Sequence, residues 1–496
     1  MEVYLIVFGC SLLFERLIWL PHGWRFRRLL SLLAGLSMFL STIPLIVLYP
    51  RAWTLLLVLI SGYRFFNLIK LARARLVDDY LERTTKLTST VLMSYQVLVL
   101  AILLAVDLTK PPIWFNWDLV ASLLLLSSLI YLLSTIRQLK TTGPHLESKL
   151  STDFQLPTLT VAIPARNETE ELSTCLRSLI ANDYPKLEII VFDDCSQNSK
   201  TPEIIRSFAH DGVRFLSGDE AGDGWLAKNW AYQRLTEEVS GQLILFCGVD
   251  TNFETNGLRM LVSHMLRKQK SMVSFMPRNE LATRWLSLLI QPMRYSWEIS
   301  LPRRLFNRPA VLSTCWLAKA QLIREAGGFK AVAHSIVPES YFARVAAAKD
   351  GYSFIRTSVV VSHKSLADQL ATAVRTRYPQ LHKRPEIVAL VSFGVFVTLL
   401  GPFMVLPITL EHRYWLSAVL SGIALVGIVV CHGLVVTATY QRFMLRGLIS
   451  LPFAAAADIL ILHYSMWQYE FKQVIWKGRN ICIPVMGVIS HLPKLT

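Results

Sequence analysis

Long charge-free apolar runs occupy both ends of the chain, and between them lies a polar region where short apolar stretches alternate with amphipathic ones. The runs Leu29 to Pro50, Leu87 to Val106, Leu119 to Ile136, Ile387 to Leu410 and Tyr414 to Gln441 each approach or exceed the roughly 20 residues that carry a helix across a bilayer. Two further candidates are Val3 to Leu20 and Ala52 to Leu71, the second holding Arg64, which must snorkel or face neighbouring helices. Pro452, Asp458 and His463 interrupt the stretch Gly447 to Tyr469, a pattern that suits a re-entrant or interfacial helix better than a full span. The expected organisation is an N-terminal transmembrane block of about five helices over 1–137 and a C-terminal transmembrane and interfacial block over 387–496.

The middle region changes period. Strand-like runs at Leu159 to Pro164, Ile189 to Phe192, Val213 to Leu216 and Leu243 to Phe246 are separated by helical patterns near Glu170 to Ile180, Pro202 to Ala209 and Asn229 to Val239. Strands and helices alternating at this spacing predict an α/β domain with a mostly parallel sheet, placed at 150–366.

Composition strengthens the membrane reading. The chain is 53% hydrophobic and only 17% charged, with a mean hydropathy of +0.40, too apolar for an ordinary soluble enzyme of this length. Its formal net charge is +16, and the excess sits beside the apolar runs, which points to anionic lipid headgroups and the positive-inside bias rather than to nucleic acid. The segment 367–386, with Arg375, Arg377, Lys383 and Arg384, is expected as a basic membrane-surface stretch with phosphate binding as a second use. Basic loops at His22 to Arg28, Lys70 to Lys86 and Arg137 to Lys149 fall on one side if five spans precede the polar domain. That pattern predicts a multi-pass inner-membrane protein with its N-terminus outside and its α/β domain in the cytosol. The first apolar run lacks a basic start and a small-residue cleavage site, so it is expected as a retained segment. Seven cysteines without a C-x-x-C spacing argue against a zinc site or a disulfide framework.

Candidate chemistry lies where the strands end. Glu168 follows the first strand, Asp193 and Asp194 close the second, and Asp250 follows the fourth. Ligands of open α/β sheets bind outside the carboxyl ends of the strands, so these acids are expected around one crevice. The ordered set Ala165, Arg166, Asn167, Glu168, then Asp193 and Asp194, then Gly224, Trp225 and Lys228, then Gly248 and Asp250, resembles the family 2 glycosyltransferases of GT-A fold. Gly224 and Trp225 with Lys228, Asn229 and Ala231, and Trp476, Lys477 and Arg479 near the end, are similar to the carotenoid and hopanoid type of membrane-bound lipid glycosyltransferase.

The resemblance implies an inverting transfer of a sugar from a nucleotide-sugar donor, UDP-linked in type, to a lipid or polyisoprenoid acceptor. Pro164, Ala165, Arg166, Glu168, Asp193 and Asp194 would hold the nucleoside half, although Glu168 also suits a helix cap. Lys228 would face the donor phosphates, or stand solvated at a helix start. Asp250 matches the final acid of the family's Asp-x-Asp signature and would hold a divalent Mg²⁺ or Mn²⁺, but Gly248 stands where the first acid is expected. Turn chemistry also accounts for Asp250. Glu339 takes the place of the family's catalytic Asp when aligned through Phe342, Ala343 and Arg344, and as a first-turn residue it equally suits a helix dipole. Trp225, Arg384, Trp476, Lys477 and Arg479 are further phosphate or acceptor contacts that the resemblance implies. The stretch Thr283 to Trp297 mixes aromatics and arginines as an interfacial helix would, or as a helix packed on the domain does. A processive polysaccharide synthase and a silent nucleotide-sugar-binding scaffold remain the rival readings.

Overall fold

The computed structural model describes residues 2–18, 27–48, 50, 52–73, 116–142, 155–222, 224–280, 286–300, 309–442, 445–471 and 473–486. At the N-terminus the apolar runs form α1 (Glu2–Ile18), α2 (Arg27–Leu48) and α3 (Ala52–Arg73), which pack on one another, and α4 (Trp117–Thr141). The run at Leu87 to Val106 lies outside the described residues. Arg64 of α3 turns inward and pairs with Glu15 of α1, both fully buried. Of the two outlets expected for Arg64, facing a neighbouring helix is the one taken.

The polar region opens with β1 (Leu159–Ala165), followed by α5 (Glu170–Ile180), β2 (Leu187–Asp193), α6 (Lys200–Ser207), β3 (Val213–Ser217), α7 (Ala227–Glu238) and β4 (Leu243–Cys247). These four strands lie parallel in the order β3-β2-β1-β4. Every residue of β4 and all of β1 except Pro164 is buried, as strands covered on both faces must be. After β4 come β5 (Thr251–Phe253), α8 (Gly257–Arg267), β6 (Met272–Asn279), α9 (Ser287–Ile299), β7 (Cys315–Lys319), α10 (Ala320–Glu325), α11 (Pro338–Ala348) and β8 (Tyr352–Ser362). They extend the sheet as β4-β7-β6-β8-β5, with β6 and β8 running along the first four strands and β7 and β5 against them. The predicted α/β class and mostly parallel sheet hold, and the strands after Phe246 are additions that the helix-strand alternation did not reveal.

Each face of the sheet has its own core. One collects Val161, Ile163, Leu176, Leu179, Leu245 and Leu261 beneath α5 and α8. The other is aromatic, with Phe246 stacked on Trp316 at 4.0 Å and Phe329 and Phe342 closing over them. This aromatic slab carries α7 and α11, the helices that bear Lys228 and Glu339.

The chain then continues as α12 (Leu366–Gln380), α13 (Pro385–Val395), a π-helical turn at Phe396–Leu400, α14 (Gly401–Glu411), α15 (Trp415–Tyr440), α16 (Leu445–Ile449) and α17 (Leu451–Glu470). Among the described residues four helices are long and apolar enough to cross a membrane: Arg28–Leu48, Trp117–Thr141, Ile387–Glu411 and Trp415–Tyr440. α4 and α15 lie close along their lengths, where Ser128 Oγ donates to the Ala424 carbonyl at 2.9 Å and a Cβ on Gly427 would meet that hydroxyl at 2.6 Å. Small residues at such a contact let two apolar helices approach. α17 instead packs across α9, α12 and α13. Its Asp458, 3% exposed, accepts from Arg377 at 2.5 Å and from Trp297 Nε1 at 2.9 Å. α9 is consequently a helix packed inside the protein, with Gln291, Arg294, Tyr295 and Glu298 all buried.

Beyond α17 a short hairpin, β9 (Ile475–Trp476) with β10 (Arg479–Asn480), precedes α18 (Cys482–Met486).

Candidate functional site

The sheet order places its switch point between β1 and β4, because the chain leaves β1 toward β2 on one side and returns to β4 on the other. A crevice opens at that point, outside the carboxyl ends of the strands. β1 pairs with β2 through Ala165 but with β4 only through Ala162, so Pro164 and Ala165 lie past the second ladder. A cavity of about 450 Å³ sits there, lined by Asn167, Glu168, Glu171, Asp250, Asn252 and His363 among others. Burial raises the Glu171 carboxyl above its usual range, with Asp368 and Asp250 adding to the effect.

The loop after β1 is fixed by its own backbone geometry. Asn167 adopts a left-handed φ of 51°, which Asn tolerates, and its Oδ1 accepts from the Gln197 N–H at 2.8 Å. Arg166, 5% exposed, donates to the carbonyls of Asp194 at 2.5 Å and Cys195 at 2.8 Å, locking the ends of β1 and β2 together. α5 begins after Thr169 without a side-chain cap. Glu168 points instead to Lys477 of the C-terminal hairpin, while Lys477 Nζ also donates to the Arg166 carbonyl at 2.8 Å. Arg166 Nε returns a bond to the Lys477 carbonyl at 3.1 Å.

The two neighbouring acids of β2 separate in role. Asp193 accepts from the Ser196 N–H at 3.2 Å and so shapes the turn. Asp194 receives both of its carboxylate bonds, at 2.7 and 2.9 Å, from one nitrogen of Arg479. Burial raises the Asp194 carboxyl, and Arg479 and Arg166 offset only part of that. The residues Trp476 to Arg479 thus lie directly on the strand-end carboxylates, almost three hundred positions away in sequence. Trp476 also supports Arg375, whose guanidinium carbon is 5.1 Å from its ring.

Of the remaining acids, Glu339 is carried by a helix on the aromatic side. Lys228, in the first turn of α7, rests 5.3 Å from the Tyr232 ring. Burial presses its ammonium down to about 8, Glu339 and Asp250 oppose this, and Arg375 and Lys364 add to it. Lys228, Glu339, Asp250, Lys364 and Arg375 are therefore within electrostatic reach of one another. Asn229 next to Lys228 donates to the carbonyls of Val332, Ala333 and Ser335 at 2.8, 3.1 and 2.8 Å, tying α7 to the loop that leads into α11. Glu339 stands in the first turn of α11 behind Pro338 and is 2% exposed. Trp225 packs edge-on against Trp230 at 5.4 Å, on the approach to α7. Arg384 stands at the N-cap of α13, and its buried Nε has no hydrogen-bond partner among the described residues.

Asp250 sits in the turn between β4 and β5, and its Oδ2 is 3.2 Å from Lys364 Nζ. Burial alone would raise this carboxyl, but Lys364 more than compensates and holds it below its usual range. Gly248 has a steric reason: a Cβ there would meet Asp250 Oδ1 at 2.4 Å. Any side chain at 248 would have to displace the carboxylate of Asp250 from this position. Among the described residues no group of three or more His, Cys, Asp and Glu side chains is arranged to hold a metal. A divalent ion on Asp250 would stand beside the Lys364 ammonium, and a double and a single positive charge about 4 Å apart repel by about 8 kcal/mol at an effective dielectric near 20. The residues present do not fit the metal site expected at Asp250.

Lys364 was not anticipated from the sequence, and Arg294 and Arg375 were met only as parts of an interfacial-type stretch and a basic membrane-surface stretch. Lys364 follows the end of β8 by two residues, so the rule that strand ends bear function would have found it had β8 been anticipated. Arg375 belongs to the stretch expected on a membrane surface, yet α12 turns Arg377 inward to 2% exposure and lays Arg375 on Trp476.

Residues 160–326 match the family model described as glycosyl transferase family 2. Glycosyltransferase AglE of Haloferax volcanii is 35% identical over 99 residues, 19% of this chain and 31% of that protein. A 4,4'-diaponeurosporenoate glycosyltransferase of Staphylococcus aureus is 30% identical over 128 residues, 25% of this chain and 33% of its own length. The chain thus spans about a third of the curated relatives it matches. Among solved structures, the mannosyltransferase PcManGT from Pyrobaculum calidifontis, in complex with GDP-Man and Mn²⁺, covers 70% of this chain and 99% of its own with 18% identity and a TM-score of 0.41. The family 2 match runs from β1 through α10 and falls on the mostly parallel sheet that the α/β reading expected.

Proposed function

We propose that this chain is a membrane-bound, inverting glycosyltransferase that moves a sugar from a nucleotide-sugar donor of the UDP-linked type to a lipid or polyisoprenoid hydroxyl. The observation that carries the reading is that Glu168 and Asp250 line one strand-end cavity inside the family 2 segment, with Asp194 at the end of the neighbouring strand and Lys228 within electrostatic reach of Asp250 and Glu339. The name of the diaponeurosporenoate glycosyltransferase supports a lipid-like acceptor. The four helices long and apolar enough to span a membrane support a site held at its surface.

In this reading Glu168 and Asp194 accept hydrogen bonds from the nucleoside half. A carboxylate has about four lone-pair sites, so each can do so while Lys477 or Arg479 keeps its own contact. Pro164, Ala165 and Arg166 supply the wall of that pocket, and Asp193 holds the turn that aims Asp194. The acceptor oxygen attacks the anomeric carbon from the side opposite the diphosphate. As the new C–O bond forms, the old one breaks, and its electron pair leaves on the diphosphate oxygen. Glu339 takes the hydroxyl proton, and Lys228 meets the charge on the leaving group. The basic loops support a cytosolic domain and an N-terminus outside.

The test is to offer the purified full-length protein a panel of nucleotide sugars with membrane lipid extract and to identify products by mass. A lipid heavier by one hexose-type residue is expected. A ladder of sugar additions would favour a processive synthase, and no product with any donor would favour a silent binding protein.

A further inference from the structure

We infer that the chain itself, through Lys364 together with Lys228, Arg294 and Arg375, supplies the positive charge that holds the donor's diphosphate, in the place where a divalent cation would otherwise stand. The inference rests on the proposed transfer from a nucleotide sugar and assigns that site its charge.

Asp250 carries the first part of the argument. It is the acid that matches the metal-binding signature, and Lys364 already lies 3.2 Å from its Oδ2, with the two side chains only 14% and 20% exposed. The position two residues earlier is Gly248, and the space its side chain would need is filled by Asp250 Oδ1. The pair of carboxylates that would attract a divalent ion is therefore replaced by one carboxylate and one ammonium.

Charge balance carries the second part. Lys228, Lys364, Arg294 and Arg375 lie within electrostatic reach of Asp250, and Glu339 acts on Lys228. Asp368 also reaches Arg375, and Glu171 reaches Asp250, but both stand exposed in the first turns of α12 and α5, where water screens them. Four cations thus face two enclosed carboxylates. Among the described residues, ion pairs within 4 Å involve Lys364 but not Lys228, Arg294 or Arg375. Arg294 is 8% exposed, and a cation held away from water without an opposite charge is costly. An excess of two positive charges matches the two negative charges of a nucleoside diphosphate esterified to a sugar. Arginine and lysine are the side chains suited to phosphate oxygens, and Arg375 is held in place by the Trp476 ring. No proton or electron is consumed by this arrangement; it stabilises the electron pair that arrives on the diphosphate when the glycosidic bond breaks.

The experiment measures binding of UDP and GDP to the full-length protein in detergent by calorimetry, once in excess EDTA and once with Mn²⁺. For one of these nucleotides, dissociation constants within about twofold of each other are expected under the two conditions. Lys364→Ala should weaken binding in EDTA by about tenfold or more, the scale of one charge-assisted hydrogen bond, whereas Lys364→Arg, which keeps the charge and guards against a folding defect, should restore most of it. Binding that appears only with Mn²⁺ overturns this inference and leaves the proposed transfer standing. Absence of binding by both nucleotides under both conditions overturns the proposed transfer and this inference with it.

Discussion

Glu339 and Lys228 carry the sharpest consequences at the scale of single residues. Glu339→Asp retracts the carboxylate by one methylene, and a misplacement of about 1 Å costs on the order of 100-fold in rate, so turnover should fall by about that factor with little change in donor affinity. Initial rates at saturating donor, set beside a binding isotherm, check this. Lys228 titrates at about 8 because burial disfavours its charged form. In the proposed role of Lys228 the charged form meets the diphosphate, so donor affinity should be highest below pH 8 and decline as pH rises through that value, with proton uptake on binding near pH 8. Lys228→Met should abolish that dependence, and calorimetry in buffers of different ionisation enthalpy reads it. Several of these residues were legible in the sequence, because an acid that follows an apolar strand needs no knowledge of distant packing. Lys364 and Arg294 were not, since their importance comes from what folds against them.

The element that changes the picture most is the hairpin β9-β10. Its residues Trp476, Lys477 and Arg479 were recognisable as a set, but nothing in their local pattern says which side of a membrane they occupy. Asp458 and the side chains around it dock α17 on α9 and α12, and the hairpin that follows lies on Glu168 and Asp194. The strands β5 to β8 were missed for a related reason, because antiparallel strands joined through long loops lack the regular helix-strand alternation that exposes β1 to β4. Removing the grip of the hairpin has a predictable cost. Arg479→Ala leaves the carboxylate of Asp194, 3% exposed, without its ion pair. Breaking a fully buried pair costs about 3 to 5 kcal/mol, and the partial exposure of Arg479 reduces this to about 1 to 3. A lower melting temperature in detergent is expected, together with a raised KM for the donor.

The whole molecule sets the strand-end crevice beside helices suited to a bilayer. α4 and α15 join the N-terminal and C-terminal apolar segments, through the Ser128 to Ala424 bond and a contact between Thr135 and Cys431 at 2.9 Å. Gly427→Leu should drive the two apart, because even a Cβ there meets Ser128 at 2.6 Å, and reduced yield of folded protein by size-exclusion chromatography is the expected outcome. The proposed orientation keeps the end of the chain on the cytosolic side, so a cysteine placed at Ser490 should resist an impermeant maleimide in intact cells and react after permeabilisation. The central claim is chemical: Glu339 accepts the proton of a lipid hydroxyl during sugar transfer. Its most direct test compares the wild-type protein with Glu339→Gln for formation of glycosylated lipid by mass, in preparations shown to bind the same nucleotide equally. Product from the wild-type protein and a loss of at least about 100-fold in the variant is the predicted result, and equal product from both would contradict the account.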